Sequence, residues 1–188
     1  MKTLIFNGSP RPKGETRKMI NMLSEELGGD IKVVNTYTAG IHPCVDCRFC
    51  HTHDGCVIKD DMQTIYQDIQ EADCIIIASP IYYEQLTGIL LATMSRLQTY
   101  FCAKYMRGQE PIQKKKKGAI LLSAGSFGRR EKAEATANLL LKEMRCEYQG
   151  TVYIGKTDEK GLEERSDIIE QIHDLAGLLK EQQEMNDK

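Results

Sequence analysis

The stretch TLIFNGSPRPKGET, Thr3 to Thr16, decides the architecture. Its first four residues are a short apolar run closed by a segment rich in glycine and proline, the pattern of a buried strand ending in a turn. Helical periodicity begins where that turn ends. Met19, Ile20, Leu23 and Leu27 fall on one helical face, and Gly28 and Gly29 stop the repeat. A strand, a glycine-rich turn and an amphipathic helix in direct succession open an alternating strand–helix chain.

The alternation continues outward. Further apolar runs at Ile31 to Asn35, Cys74 to Ser79, Gly118 to Ser123 and Thr151 to Ile154 read as strands. A second helix carries Met62, Ile65, Ile69 and Ala72 on its apolar stripe, with Asp60 as cap and Gln63 placed to reach back in a capping box. Leu86, Leu90, Leu91, Met94 and Leu97 mark a third helix running to Phe101, with core burial expected of it more than an interface. Ala133, Ala137, Leu140, Leu141 and Met144 mark a fourth, and Ile168, Ile169, Ile172, Leu175 and Leu179 a fifth. Five such units and right-handed crossovers predict an α/β fold. It is a flavodoxin-like three-layer sandwich with a five-stranded parallel sheet of order 2-1-3-4-5, a single domain over residues 1–188 with a cysteine-rich loop at 42–59. Lys114 to Lys117 reads as a solvated lead into the fourth strand, and the polar tail from Glu181 to Lys188 is expected to fray.

Composition narrows the function classes. A net charge of −2 argues against a surface that neutralises many phosphates, so no nucleic-acid partner is expected. No run approaches the ~20 apolar residues of a membrane span, and Met1 to Phe6 is too short for a signal-peptide core, which makes the cytoplasm the expected location and excludes a membrane partner. Of seven cysteines, four crowd between Cys44 and Cys56; in a reducing compartment such a cluster points to metal or redox chemistry instead of a disulfide framework. Cys74, Cys102 and Cys146 lie inside apolar-periodic segments and read as small buried hydrophobes.

The turn after the first strand, NGSPRPKGET, suits a phosphate. A helix amino terminus offers unpaired N–H groups and the positive end of a dipole, Ser9 and Thr16 add hydroxyls, Arg11 and Arg17 add charge, and Gly8 and Gly14 let the backbone approach. The segment lacks both the Gly-Lys-Ser/Thr ending of a nucleotide P-loop and the G-x-G-x-x-G of a dinucleotide fold, which leaves a monophosphate such as that of FMN, or a plain strand-to-helix turn. SPIYYEQLTG follows the third strand, from Ser79 to Gly88, and SAGSFG the fourth, from Ser123 to Gly128. Ligands of open α/β sheets bind beyond the carboxyl ends of the strands, so the three loops would meet at one crevice, where Tyr82 and Tyr83 could flank a flavin ring.

NGSPRPKGET, PCVDCRFC leading to CVIKDDM, and EADCIIIASPIYYEQLTG together resemble the NADPH-dependent FMN reductase superfamily, in particular its iron-sulfur flavoprotein branch. The resemblance runs from Met1 to about Gly128. It implies a flavodoxin-like fold, FMN as cofactor and an oligomer, a homodimer or homotetramer. By match it places the FMN phosphate on the first loop and the isoalloxazine on the later two. The candidate cofactor-binding set is thus Ser9, Arg11, Gly14, Glu15, Thr16 and Arg17, then Ser79, Pro80, Ile81, Tyr82 and Tyr83, then Ser123, Ala124, Gly125 and Ser126.

Cys44, Cys47, Cys50 and Cys56 are separated by two, two and five residues, a run that wraps around a compact 4Fe-4S cluster and resembles the spacing of iron-sulfur flavoproteins. Tetrahedral zinc, with His42, His51 or His53 as additional donors, and unmetallated thiols remain open alternatives. Asp46 stands where the family often has glycine. The leading expectation is a flavin oxidoreductase passing electrons between FMN and the cluster, with NAD(P)H or a ferredoxin as donor, a small molecule or protein as acceptor, and no catalytic side chain, since the cofactor carries the chemistry. A cluster-free FMN or quinone reductase and a non-catalytic zinc or thiol redox-sensing module are the rivals.

Overall fold

The computed structural model describes residues 1–181, and their backbone forms β1 (Lys2–Asn7), β2 (Asp30–Asn35), β3 (Cys74–Pro80), β4 (Lys116–Ser123) and β5 (Cys146–Ile154). All neighbours pair in parallel, in the order β2-β1-β3-β4-β5. This is the predicted flavodoxin-like arrangement. β3 is buried along its whole length, as a central parallel strand covered on both faces must be.

The period of two along each strand sorts the core into two layers. Leu4, Phe6, Ile75, Ile77, Ile120 and Leu122 face one side, where α3 (Met62–Glu71), α4 (Gly88–Met94), α5 (Gln98–Tyr105) and α6 (Glu131–Glu143) contribute Ile65, Leu90, Tyr100 and Leu141. Ile5, Ile76, Leu121 and Val152 face the other, against Met19 and Leu23 of α1 (Glu15–Leu27) and Ile172 and Leu179 of α7 (Ser166–Lys180). Cys74, Cys102 and Cys146 are buried, as their apolar surroundings predict. The expected fraying from Glu181 onward concerns residues 182–188, outside those described.

Four local expectations need correction. The third helix is not continuous: α4 ends at Met94, a 3-10 turn spans Ser95–Leu97, and α5 follows. Thr93 and Ser95 donate their hydroxyls back to the carbonyls of Ile89 and Ala92, and the buried Arg96 side chain leaves the turn toward the cysteine loop. Hydroxyl back-bonding of this kind bends helices. The capping box does not form: Asp60 accepts the Met62 N–H through Oδ1, whereas the Gln63 amide donates to the carbonyls of Cys56 and Ile58. A single helical turn, α2 (Phe49–Thr52), interrupts the cysteine loop and buries no side chain. Finally, β4 begins at Lys116, inside the lysine run, and Lys116 is buried there opposite Cys146.

Candidate functional site

The loop after β1 is shaped by its own side chains. Asn7 accepts the Ser9 N–H at 3.0 Å through Oδ1, the Ser9 hydroxyl accepts the Arg11 N–H at 3.3 Å, and the Gly14 N–H donates to the Arg11 carbonyl at 3.2 Å. These bonds turn the chain into α1, whose amino terminus has Gly14 as cap residue and no side-chain cap, leaving its first N–H groups for a ligand. Gly8 is dictated by close approach. A Cβ there would stand 2.8 Å from the Thr87 hydroxyl and 2.9 Å from Leu90 Cδ2, and Thr87 in turn donates to the Gly8 carbonyl at 2.9 Å.

Hydrogen bonds tie the loops after β1, β3, β4 and β5 into one rim. Thr16 and Ser123, from the first and fourth of the sheet's crossovers, share a buried hydroxyl–hydroxyl bond of 2.7 Å. The Ile81 N–H donates to the Ser123 carbonyl at 2.8 Å, the Thr157 N–H to Ala124 at 3.0 Å and the Asp158 N–H to Gly125 at 3.1 Å. The crevice so formed is lined by Ser9, Arg11, Gly14, Glu15 and Thr16, by Pro80, Ile81 and Tyr82, by Ser123, Ala124 and Gly125, and by Thr157. Arg11 is exposed at its mouth. Glu15 also fixes the rim, accepting the Leu162 N–H at 2.6 Å and the Lys18 ammonium at 2.8 Å.

Four candidates stand outside that crevice. Arg17 turns toward β2, donating to Asn35 Oδ1 at 3.3 Å. Ser79 is wholly buried, its hydroxyl donating to the Pro80 carbonyl and accepting the Thr87 N–H. Ser126 is exposed, with its carbonyl taking the N–H groups of Gly128 and Lys156. Tyr83 is fully exposed at the tip of a two-residue hairpin closed by Tyr82 and Gln85. The sequence reading missed Thr157 and Asp158. A Cβ on Gly125 would meet Asp158 Oδ2 at 2.5 Å, so the Asp158 carboxyl packs directly over the glycine. The signal was available, since GKTDEKG follows a strand at the same sheet edge, but β5 is the outermost strand and its loop carries no glycine–serine pattern.

The cysteine loop leaves the same edge of the sheet, after β2. Its start is joined to the first loop by Asn7 Nδ2 donating to Asn35 Oδ1 at 2.8 Å and by the Thr36 N–H donating to the Asn7 carbonyl at 3.0 Å. Cys44, Cys47, Cys50 and Cys56 all line one hollow, together with Arg96, Gln98 and Thr99 from the α4–α5 junction. Cys47 is exposed and the other three are half-buried. Among the described residues no three His, Cys, Asp or Glu side chains converge on a single-ion site. His53 stacks on Phe49 with ring centroids 4.4 Å apart, and the hollow is lined by His51 but not by His42 or His53. Burial, reinforced by the Cys102 thiol, pushes the Cys50 thiol up to about 11.

Two conformational features shape this hollow. Asp46 and Arg48, on either side of Cys47, both adopt left-handed backbone with φ of 49° and 59°. Left-handed backbone carries a steric penalty for side chains other than glycine, so both positions hold local strain beside Cys47. Asp60 closes the loop from the other end, accepting the His42 N–H at 2.9 Å and Arg96 Nη1 at 2.6 Å on Oδ2. Burial alone would raise its pKa, but the Arg96 guanidinium and these N–H groups outweigh it and hold the carboxyl below its usual range.

A doubly wound parallel sheet with a phosphate-suited helix terminus at its carboxyl edge defines a flavodoxin-like protein, and the family model for NADPH-dependent FMN reductase matches residues 1–158. The chain belongs to that family. It is similar to an iron-sulfur flavoprotein of Archaeoglobus fulgidus, 30% identical over 145 residues that make up 76% of this chain and 63% of the relative. An iron-sulfur flavoprotein of Methanocaldococcus jannaschii is 30% identical over 135 residues, 70% of this chain and 66% of that one. The chain thus matches just under two thirds of the length of these relatives. Among solved structures, the NAD(P)H:quinone oxidoreductase of Methanothermobacter marburgensis superposes with a TM-score of 0.69 at 18% identity, covering 96% of both chains, which supports the shared fold.

Proposed function

We propose that the chain is an FMN-dependent oxidoreductase in which the crevice holds FMN and the cysteine loop holds a 4Fe-4S cluster, the two exchanging electrons. The observation that carries this reading is the placement of four cysteines around one hollow, on a loop leaving the same sheet edge as the anion-suited crevice. Family membership supports the flavin, and the names of the relatives support the cluster.

The crevice residues fit FMN, and the four cysteines lining one hollow supply the thiol donors of a cluster, although no three ligating side chains converge among the described residues. The uncapped amino terminus of α1, with Ser9, Thr16 and Arg11, suits a phosphate dianion. Pro80 to Tyr82 form one wall and Ser123 to Gly125 another, small residues on the second wall leaving room for a flat ring system. Four thiolates are a soft donor set suited to iron-sulfur binding. FMN, when bound, supplies the interchange between two-electron and one-electron transfer. No side chain is required as nucleophile or acid. The donor is NAD(P)H, in keeping with the family, or a reduced ferredoxin; the acceptor is a small molecule or a protein, and the chain works as a homodimer or homotetramer.

Anaerobic purification followed by a visible spectrum and by flavin, iron and acid-labile sulfide analysis tests the reading. Stoichiometric FMN with about four irons is expected. Cys47→Ser should abolish the cluster absorbance and leave FMN bound; iron content unchanged by that substitution would count against the cluster. FMN with no iron or sulfide identifies a cluster-free reductase, and a colourless zinc protein that refuses FMN identifies a thiol or zinc module. Titration with NADPH and with reduced ferredoxin then separates the donors.

A further inference from the structure

Both ends of the cysteine loop are fastened to the 3-10 turn Ser95–Leu97 between α4 and α5. The Ser95 hydroxyl accepts the Cys44 N–H at 2.9 Å. The Arg96 side chain is completely buried and bridges both ends of the loop: Nη1 donates to the His42 carbonyl at 2.9 Å and to Asp60 Oδ2 at 2.6 Å, and Nη2 donates to the Ile58 carbonyl at 3.3 Å. One donor remains. Arg96 Nε is buried with no partner among the described residues, and the side chain it belongs to lines the hollow shared by the four cysteines.

A guanidinium has five N–H donors in a fixed fork, and leaving one of them buried and unmet is unfavourable. Four cysteine sulfurs border this hollow and offer acceptors to such a donor. Hydrogen bonds to the sulfurs of an iron-sulfur group are among the factors that set its reduction potential, because they stabilise the more negative, reduced form. Asp60 holds the guanidinium in place while compensating much of its charge, so the pair can point a donor at the hollow without leaving a bare buried cation.

We propose that Arg96 is a positioning residue for the iron-sulfur group. Its Nη atoms close the cysteine loop, and its Nε–H donates to a cysteine or sulfide sulfur in the hollow and raises the reduction potential there. The inference rests on the cluster reading above and adds to it the residue that sets the electrostatic environment of the sulfurs.

The test uses the full chain, anaerobically reconstituted with FMN, iron and sulfide, and reads FMN content, iron content and the midpoint potential of the cluster couple. Arg96→Lys keeps a positive charge facing Asp60 but removes Nε and the planar fork. The expected result is unchanged FMN, lower iron occupancy and a more negative potential. Asp60→Asn keeps the size of the acceptor and removes its charge, and the expected shift is in the opposite direction. A purely structural role would cost iron in both variants without moving the potential of the molecules that retain it. Unmoved potentials in iron-loaded variants therefore overturn the proposal. Should Arg96→Lys fail to fold, seen as loss of FMN, Asp60→Asn decides alone, and an unmoved potential there is equally fatal. A wild-type chain that takes up FMN but no iron defeats the cluster reading and this proposal together, whereas an iron-loaded wild type with unmoved variants defeats this proposal only.

Discussion

Lys116 is 3% exposed, with its ammonium donating to the Lys114 carbonyl at 2.8 Å, and burial lowers its pKa from 10.5 to about 8. The unfolded chain keeps that proton until about 10.5, so between about pH 8 and 10.5 the unfolded state binds more protons and stability rises with pH. Cys74 and Cys146 act oppositely. Burial pushes both thiols from 9.0 up to about 12, so the folded state keeps protons that the unfolded state releases, and stability falls as pH climbs above about 9. The combined profile rises from about pH 8 to 9 and declines beyond. Lys116→Met is expected to remove that rise and to stabilise the chain at pH 7 by on the order of 2 kcal/mol, because it deletes a buried charge that forms no salt bridge among the described residues. Urea unfolding at pH 7, 8 and 9 measures both effects, and a rise that survives the substitution would assign it to another group. Gly8→Ala should destabilise by about 1–3 kcal/mol through collision with Thr87 and Leu90. The four-lysine run read as solvated because composition is local. Lys116 is buried because β4 pairs with Cys146 one strand over, a fact that lies thirty residues away in the chain.

At the scale of elements, the hairpin after β3 and the helix that follows it show where sequence patterning stops. Tyr82 and Gln85 exchange backbone hydrogen bonds of 2.9 and 3.0 Å, and the two residues between them, Tyr83 and Glu84, both have positive φ, 53° and 63°. Two-residue hairpins of this kind favour Asn-Gly, so a Tyr-Glu pair holds strain. Tyr83→Asn combined with Glu84→Gly is expected to stabilise the fold by about 1–2 kcal/mol, less the small contribution of the exposed Glu84–Lys132 ion pair. Chemical denaturation of wild type and double variant gives the answer; equal or lower stability would mean that the turn is not strained. The sequence showed a Ser-Pro start and a Gly stop around this loop but no turn residue to reveal the hairpin. In the same way the apolar spacing from Leu86 to Leu97 fits one helix, and Leu86, Leu90, Met94 and Leu97 are indeed buried together. The helix breaks where Thr93 and Ser95 back-bond and Arg96 reaches into a loop that begins more than fifty residues earlier, and no helical period can report that contact. The strands were readable because β1, β3 and β4 are sealed on both faces and appear as unbroken apolar runs.

Across the whole molecule the two core layers are assembled from the five strands and the helices α1, α3, α4, α5, α6 and α7, while α2 adds no buried side chain to either. Residues 42–59 are joined to the body chiefly by polar contacts: Ser95 to Cys44, Arg96 to His42 and Ile58, Gln63 to Cys56 and Ile58, and Arg107 to Cys50 and Asp54. Such a segment opens at a lower free energy than the sheet, because few apolar contacts are lost when it does. Removing the proposed cluster by chelation is therefore expected to leave the global unfolding midpoint nearly unchanged and to raise amide hydrogen exchange selectively within 42–59. Amides of β1, β3 and β4 should keep their protection, and the FMN crevice its occupancy, since its walls depend on the bonds among Thr16, Ser123, Ile81 and Thr157. Hydrogen-exchange mass spectrometry of iron-loaded and iron-free protein, both carrying FMN, resolves the two regions. Exchange that spreads into β3 or lowers FMN content would show that the cysteine loop braces the flavin crevice, and the two sites would then have to be treated as one cooperative unit.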